Sequence, residues 1–81
     1  MTYELFTRVA LTVDLPDYNL MAGDIATIVD SHEKADTKGY SLEVFNAKGE
    51  TIIVLVVTES QIEPLRHDEV LHVRHFGTLA A

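Results

Sequence analysis

The sequence predicts a small all-β barrel of about five strands, with one short helical turn before the last strand. Three observations lead there. The apolar residues fall in strand-length runs, and turn residues interrupt them about every ten positions. The chain has 81 residues, enough for one core and one domain. The run Gly23-Asp24-Ile25-Ala26-Thr27-Ile28-Val29 joins a turn directly to a β-branched strand. Gly23 can take positive φ without a Cβ clash, and the Asp24 carboxylate can accept nearby backbone N–H groups as the chain turns.

The elements follow in order. Arg8 to Val13 alternates, with Val9, Leu11 and Val13 on one face, as a half-buried strand does. Leu5 and Phe6, just before it, are expected to pack against the barrel mouth. Asp14-Leu15-Pro16-Asp17-Tyr18-Asn19 breaks the strand, because Pro16 lacks a donor and Asp and Asn favour turns. Asp24 to Ser31 is the second strand, and the polar run from His32 to Gly39 is expected as an exposed connection. Tyr40 to Phe45 is the third strand, with Tyr40, Leu42 and Val44 on one face, and a compact turn ends at Gly49. Thr51 to Thr58 is the fourth. A helical turn started by Ser60 and stopped by Pro64 follows, then a last strand at Val70 to Arg74. The whole reads as one domain over 1–81, with 66–81 as a C-terminal extension.

The fourth strand is apolar on both faces. With Ile52, Val54 and Val56 turned to the core, Ile53, Leu55 and Val57 point outward. Burying each is worth roughly 1.5–3 kcal/mol. A second subunit covering Ile53, Leu55 and Val57 is therefore an expectation, with folding of the termini over the strand as the alternative.

Thirteen acidic against six basic residues give a net charge of −7, which disfavours phosphate backbones and suits a basic protein partner. There is no cysteine, in keeping with a cytoplasmic protein. The first residues lack the basic start and apolar run of a signal peptide, and no stretch has the length of a membrane span.

No catalytic residue and no cofactor are expected. Ser31-His32-Glu33 supplies triad chemistry only as sequence neighbours, which point different ways on a strand. His67, His72 and His75 with Asp68 and Glu69 are the best metal-ligand candidates, but His72 and His75 lie on opposite faces if the tail is a strand and share a face only if it is helical. No metal site is assigned on that ground. Asp14, Asp17, Asp24 and Asp30 fit turn and strand-end chemistry better than a cation site. The long loop remains, and Asp17, Tyr18 and Asn19 are the residues expected to contact a partner.

The ordered landmarks Val9-Ala10-Leu11, Asp14-Leu15-Pro16, Leu20-x-x-Gly23-Asp24-x-x-Thr27-Ile28-Val29, Tyr40-x-Leu42-Glu43-Val44-Phe45, Gly49 and Ile62-x-Pro64-Leu65 resemble domain of unknown function 4926, a family of small bacterial proteins. The resemblance runs from Phe6 to about Leu65 and implies an SH3-like barrel. Ala26 stands where the family usually has glycine. The family supplies no catalytic residues and implies an accessory or antitoxin-like role by analogy of fold.

The function expected is thus a non-enzymatic protein-interaction module, in its sharpest form an antitoxin- or immunity-like protein. Two alternatives remain: a nucleic-acid- or ribosome-associated barrel, and a small metal-binding protein that uses the tail histidines.

Overall fold

A computed structural model describes residues 3–77. Its strands are β1 (Arg8–Leu11), β2 (Ile25–Lys34), β3 (Thr37–Phe45), β4 (Thr51–Thr58) and β5 (Ile62–Pro64), and a 3-10 turn at Glu59–Gln61 precedes the last of them. All pairings are antiparallel, in one sheet of order β4-β3-β2-β1-β5. Every strand sends side chains into one core: Val9 and Leu11, Ala26 and Ile28, Tyr40 and Leu42, Leu55 and Val57, and Ile62. The sheet is curled around that core, yet β4 and β5 remain its two unpaired edges. No helix among the described residues is long and apolar enough to cross a membrane.

Two bulges shape the sheet. One lies in β2, where Ile28 faces Leu42 but Asp30 faces Ser41, so Val29 is the extra residue. The other is in β4, where Phe45 faces Thr51 but Val44 faces Ile53, so Ile52 is extra. Because side chains alternate with period two, one inserted residue exchanges the faces of everything beyond it. That overturns the expected orientation of β4. Leu55 and Val57 lie in the core opposite Leu42 and Tyr40, with Ile53 half-buried beside them. The outward residues are Val54 and Val56, 56% and 64% exposed. Ile53, Leu55 and Val57 therefore cannot form an outer face for a second subunit.

Four further expectations change. The run from His32 to Gly39 is mostly strand, because β2 and β3 continue to a two-residue turn at Ala35-Asp36 with Lys34 opposite Thr37. Cross-strand hydrogen bonding extends a hairpin past its apolar residues when the turn is tight enough. The last strand is β5, paired with β1 through Leu11 opposite Ile62; the segment Val70 to Arg74 has no regular structure. The helical turn is correspondingly shorter than Ser60 to Pro64, since the chain is extended from Ile62 onward. Leu5 and Phe6 are exposed, and Tyr3 packs there instead. Its ring meets Tyr40 edge-on at 5.4 Å, and its N–H donates to the Tyr40 hydroxyl at 3.2 Å. Burial first, then the negative charge of Glu59, the Tyr40 hydroxyl and the charge of Glu63, raise the Tyr3 pKa above its ordinary value.

Candidate functional site: the cleft beneath the C-terminal segment

The loop between β1 and β2 is built by its own polar residues. Leu15 and Leu20 pinch it shut with backbone bonds of 2.9 and 3.1 Å, and Leu20 is buried in the core. Between them Pro16–Tyr18 forms a 3-10 turn, closed by Asn19 in the left-handed region at φ 58°. Beyond Leu20 two carboxylates organise the next turn. Asp14 Oδ1 accepts the Ala22 N–H at 2.9 Å, and Asp24 Oδ2 accepts the Met21 N–H at 2.8 Å. Gly23 sits between at φ 93°, a conformation that a side chain would strain. The turn chemistry expected of Gly23 and Asp24 is present.

Asp24 also has a second role. The Arg74 guanidinium grips its carboxylate with two prongs, Nε donating to Oδ1 at 2.7 Å and Nη2 to Oδ2. The same Nη2 donates to the Asn19 carbonyl at 3.2 Å. The Asn19 side-chain amide in turn donates to the Phe76 carbonyl. Phe76 is half-buried against the core, and Gly77 turns beneath Asn19 at φ 115°. A Cβ on Gly77 would lie 3.1 Å from the Asn19 amide nitrogen, a tight contact, and the φ of 115° is one that a side chain would strain. Arg74, Phe76 and Gly77 thus dock the C-terminal segment onto the loop. The residues leading up to them are barely held: Val70 is 90% and Val73 79% exposed.

Between this segment and the sheet lies a cleft of about 790 Å³. Ala10, Ile25 and Val44 line its sheet side, and Leu71, Val73 and Phe76 line the other. Its charged positions are Arg8, Asp24, Glu63, Glu69 and Arg74, together with His72 and His75. Burial alone raises the Asp24 pKa. The Arg74 hydrogen bonds, the Met21 N–H and the Arg74 charge outweigh that burial, and the carboxyl ends below its ordinary value.

Of the residues expected to contact a partner, Asp17 and Tyr18 are exposed on the loop, whereas Asn19 is already engaged by Arg74 and Phe76. No three His, Asp or Glu side chains converge as a metal-ligand set among the described residues. His67, His72 and His75 are not brought together with Asp68 and Glu69. His32 bonds Ser41 across the strands, with 2.7 Å between Nε2 and Oγ, and not its neighbour Ser31. Arg74 escaped the sequence reading because its partner lies 50 residues away, and no spacing rule links the two.

The fold and this site define a small all-β domain of one antiparallel sheet, with an acidic turn that holds a C-terminal segment across its face. The chain belongs to the family described as Domain of unknown function (DUF4926), whose profile matches residues 5–64. Asn19 and Asp24 fall inside the matched region; Arg74 and Phe76 lie beyond it. No curated protein and no solved structure matches the chain.

Proposed function

We propose that this protein is a non-enzymatic protein-interaction module. The observation that carries the reading is the docked segment, in which Arg74 and Phe76 are held by Asp24, Asn19 and the core edge. The module grips an extended chain through one charged and one aromatic anchor, as peptide-recognition surfaces do. The net charge of −7 supports a basic partner, because long-range attraction would steer it to the acidic loops. In the sharpest form of the reading, the module covers a basic surface of another protein, as an antitoxin or immunity protein covers a toxin.

The exposed Asp17 and Tyr18 are the loop residues that remain free to touch such a partner. Affinity recovery from native cells with wild-type chain and with Asp17→Lys/Tyr18→Ala tests this. Partner recovery falls sharply in the variant; undiminished recovery removes the loop from the contact surface.

A further inference from the structure

We propose that β4 is the interface of a two-fold symmetric dimer, in which the free edge of the strand pairs antiparallel with the same edge of a second copy and joins the two five-stranded sheets into one. The inference goes beyond the interaction-module reading and stands without it, because the partner is the chain itself and the loop at Asp17 and Tyr18 takes no part.

A sheet edge presents a row of backbone N–H and C=O groups, and soluble proteins guard such rows with charge, proline or short length. The two edges of this sheet differ in that respect. β5 is three residues long and carries Glu63 and Pro64. β4 is eight residues long, without a charge or a proline, and is the longest run of the chain free of Asp, Glu, Lys and Arg. From Ile52 to Val57 its backbone is bonded only to β3 among the described residues. In an antiparallel strand every second residue turns both backbone groups to the same side, so alternate residues here offer a donor and an acceptor to a neighbouring strand. The C-terminal segment does not supply that strand, since the cleft beneath it touches β4 only at Ile52.

A second copy fits this edge through the geometry of the strand itself. Opposite residues of an antiparallel pair share a face, so two copies of β4 align only in registers that keep outward side chains together. The bulge at Ile52 and the turn that follows Thr58 leave Ile53 to Val57 as the regular part with an open edge. Centring that part on itself sets Leu55 opposite Leu55 of the second copy, and Val54 opposite Val56. Val54 and Val56 are the exposed apolar residues of β4, and in this register they flank one another across both halves of the seam. Such β-branched pairs stabilise a sheet, while Leu55 and Val57 keep their places in the core. Each copy carries a net charge of −7, so two copies approach closely only where acidic side chains are absent. This strand is such a place.

Sedimentation of the full chain over a range of concentrations tests the pairing. Wild type reaches twice the chain mass, and added salt tightens the association because it screens the repulsion between two acidic copies. Val54→Lys/Val56→Lys weakens the dimer at least about tenfold, since lysines then stand opposite one another in both symmetric pairs. Both positions face outward, so the variant keeps the wild-type circular dichroism. Cysteine cross-linking gives a readout that does not depend on the lysine variant. The chain has no cysteine, so in a mixture of Val54→Cys and Val56→Cys chains mild oxidation joins one kind to the other faster than either to itself. A chain that stays monomeric at every concentration overturns the proposal, as does a dimer that Val54→Lys/Val56→Lys leaves intact. A dimer that loosens with salt is held by opposite charges, and preferential self-linking of either cysteine variant sets another register; each result overturns the pairing described.

Discussion

Arg74 and Asp24, 50 residues apart in the chain, form a two-pronged ion pair that fastens the C-terminal segment to the turn opening β2. The carboxylate that receives the arginine also accepts the Met21 N–H, so one side chain both shapes its own turn and holds the distant segment. Loop, turn and segment thus meet at this one carboxylate and the guanidinium that grips it.

Replacing Arg74 by alanine should free the segment while leaving the sheet intact. The pair is partly exposed, so the loss of global stability is about 1 kcal/mol or less. Amide exchange of residues 70–77 should accelerate far more than exchange in β2 and β3. Arg74→Lys should recover only part of the protection, since a lysine lacks the planar fork that presents two parallel donors to a carboxylate. Full protection in Arg74→Ala would show that Phe76 alone holds the segment.

Acid should release the segment as well. The Asp24 pKa is lowered in the folded protein, so the unfolded chain takes up the proton first as pH falls. The stabilisation from this carboxylate is complete above the ordinary carboxylate pKa, near 3.9. It declines below that point and is gone once pH passes below the lowered value. Denaturation from pH 7 to 2 should therefore show a smaller acid-dependent loss in Asp24→Asn than in wild type. Equal loss in both proteins would exclude Asp24 as a source of the acid sensitivity.

The β2–β3 turn carries a removable strain. Ala35 stands at φ 55°, a region that costs a residue with Cβ roughly 1–2 kcal/mol. Ala35→Gly relieves this but loses some backbone entropy to the unfolded chain, for a net gain of about 0.5–1 kcal/mol. Chemical denaturation should show a higher midpoint at unchanged slope. A lower midpoint would mean that Ala35 is not left-handed in solution.

The faces of β4 make a paired prediction. Leu55→Ala removes a core side chain and should cost about 2–5 kcal/mol. Val56→Thr, one residue on but pointing outward, should change stability by about 0.5 kcal/mol or less. The opposite ranking would restore the unbulged register, in which Leu55 points outward.

Much of the sheet was legible in the residues themselves. Alternation in β3, the Gly23 and Gly49 turns and the carboxylates that close the Asp14–Asp24 loop all act over a few neighbouring positions, so local chemistry reports them. The first strand instead stops at Leu11, with Ala10 buried beside Val9 and Val13 exposed, because the chain turns away before the expected alternation completes. The family assignment has the same basis, in ordered landmarks within residues 5–64. The sequence carries no decision where a local signal is symmetric or missing. In β4 both sets of alternate residues are apolar, and the choice between them rests on one extra residue, Ile52, in the pairing with β3. In β2 and β3 the polar ends looked like loop because their side chains are solvated, while their backbone groups pair across the hairpin.

What the sequence by itself determined is an acidic all-β domain, its turns and the strands that alternate cleanly, because each depends on interactions between near neighbours. Tertiary structure alone decided which face of β4 is buried, that Ile62–Pro64 rather than Val70–Arg74 completes the sheet, and that Asp24 is the seat for Arg74. Those outcomes depend on register and on contacts between distant segments, where a shift of one residue or one turn of backbone changes the partner while leaving the composition and local pattern unchanged.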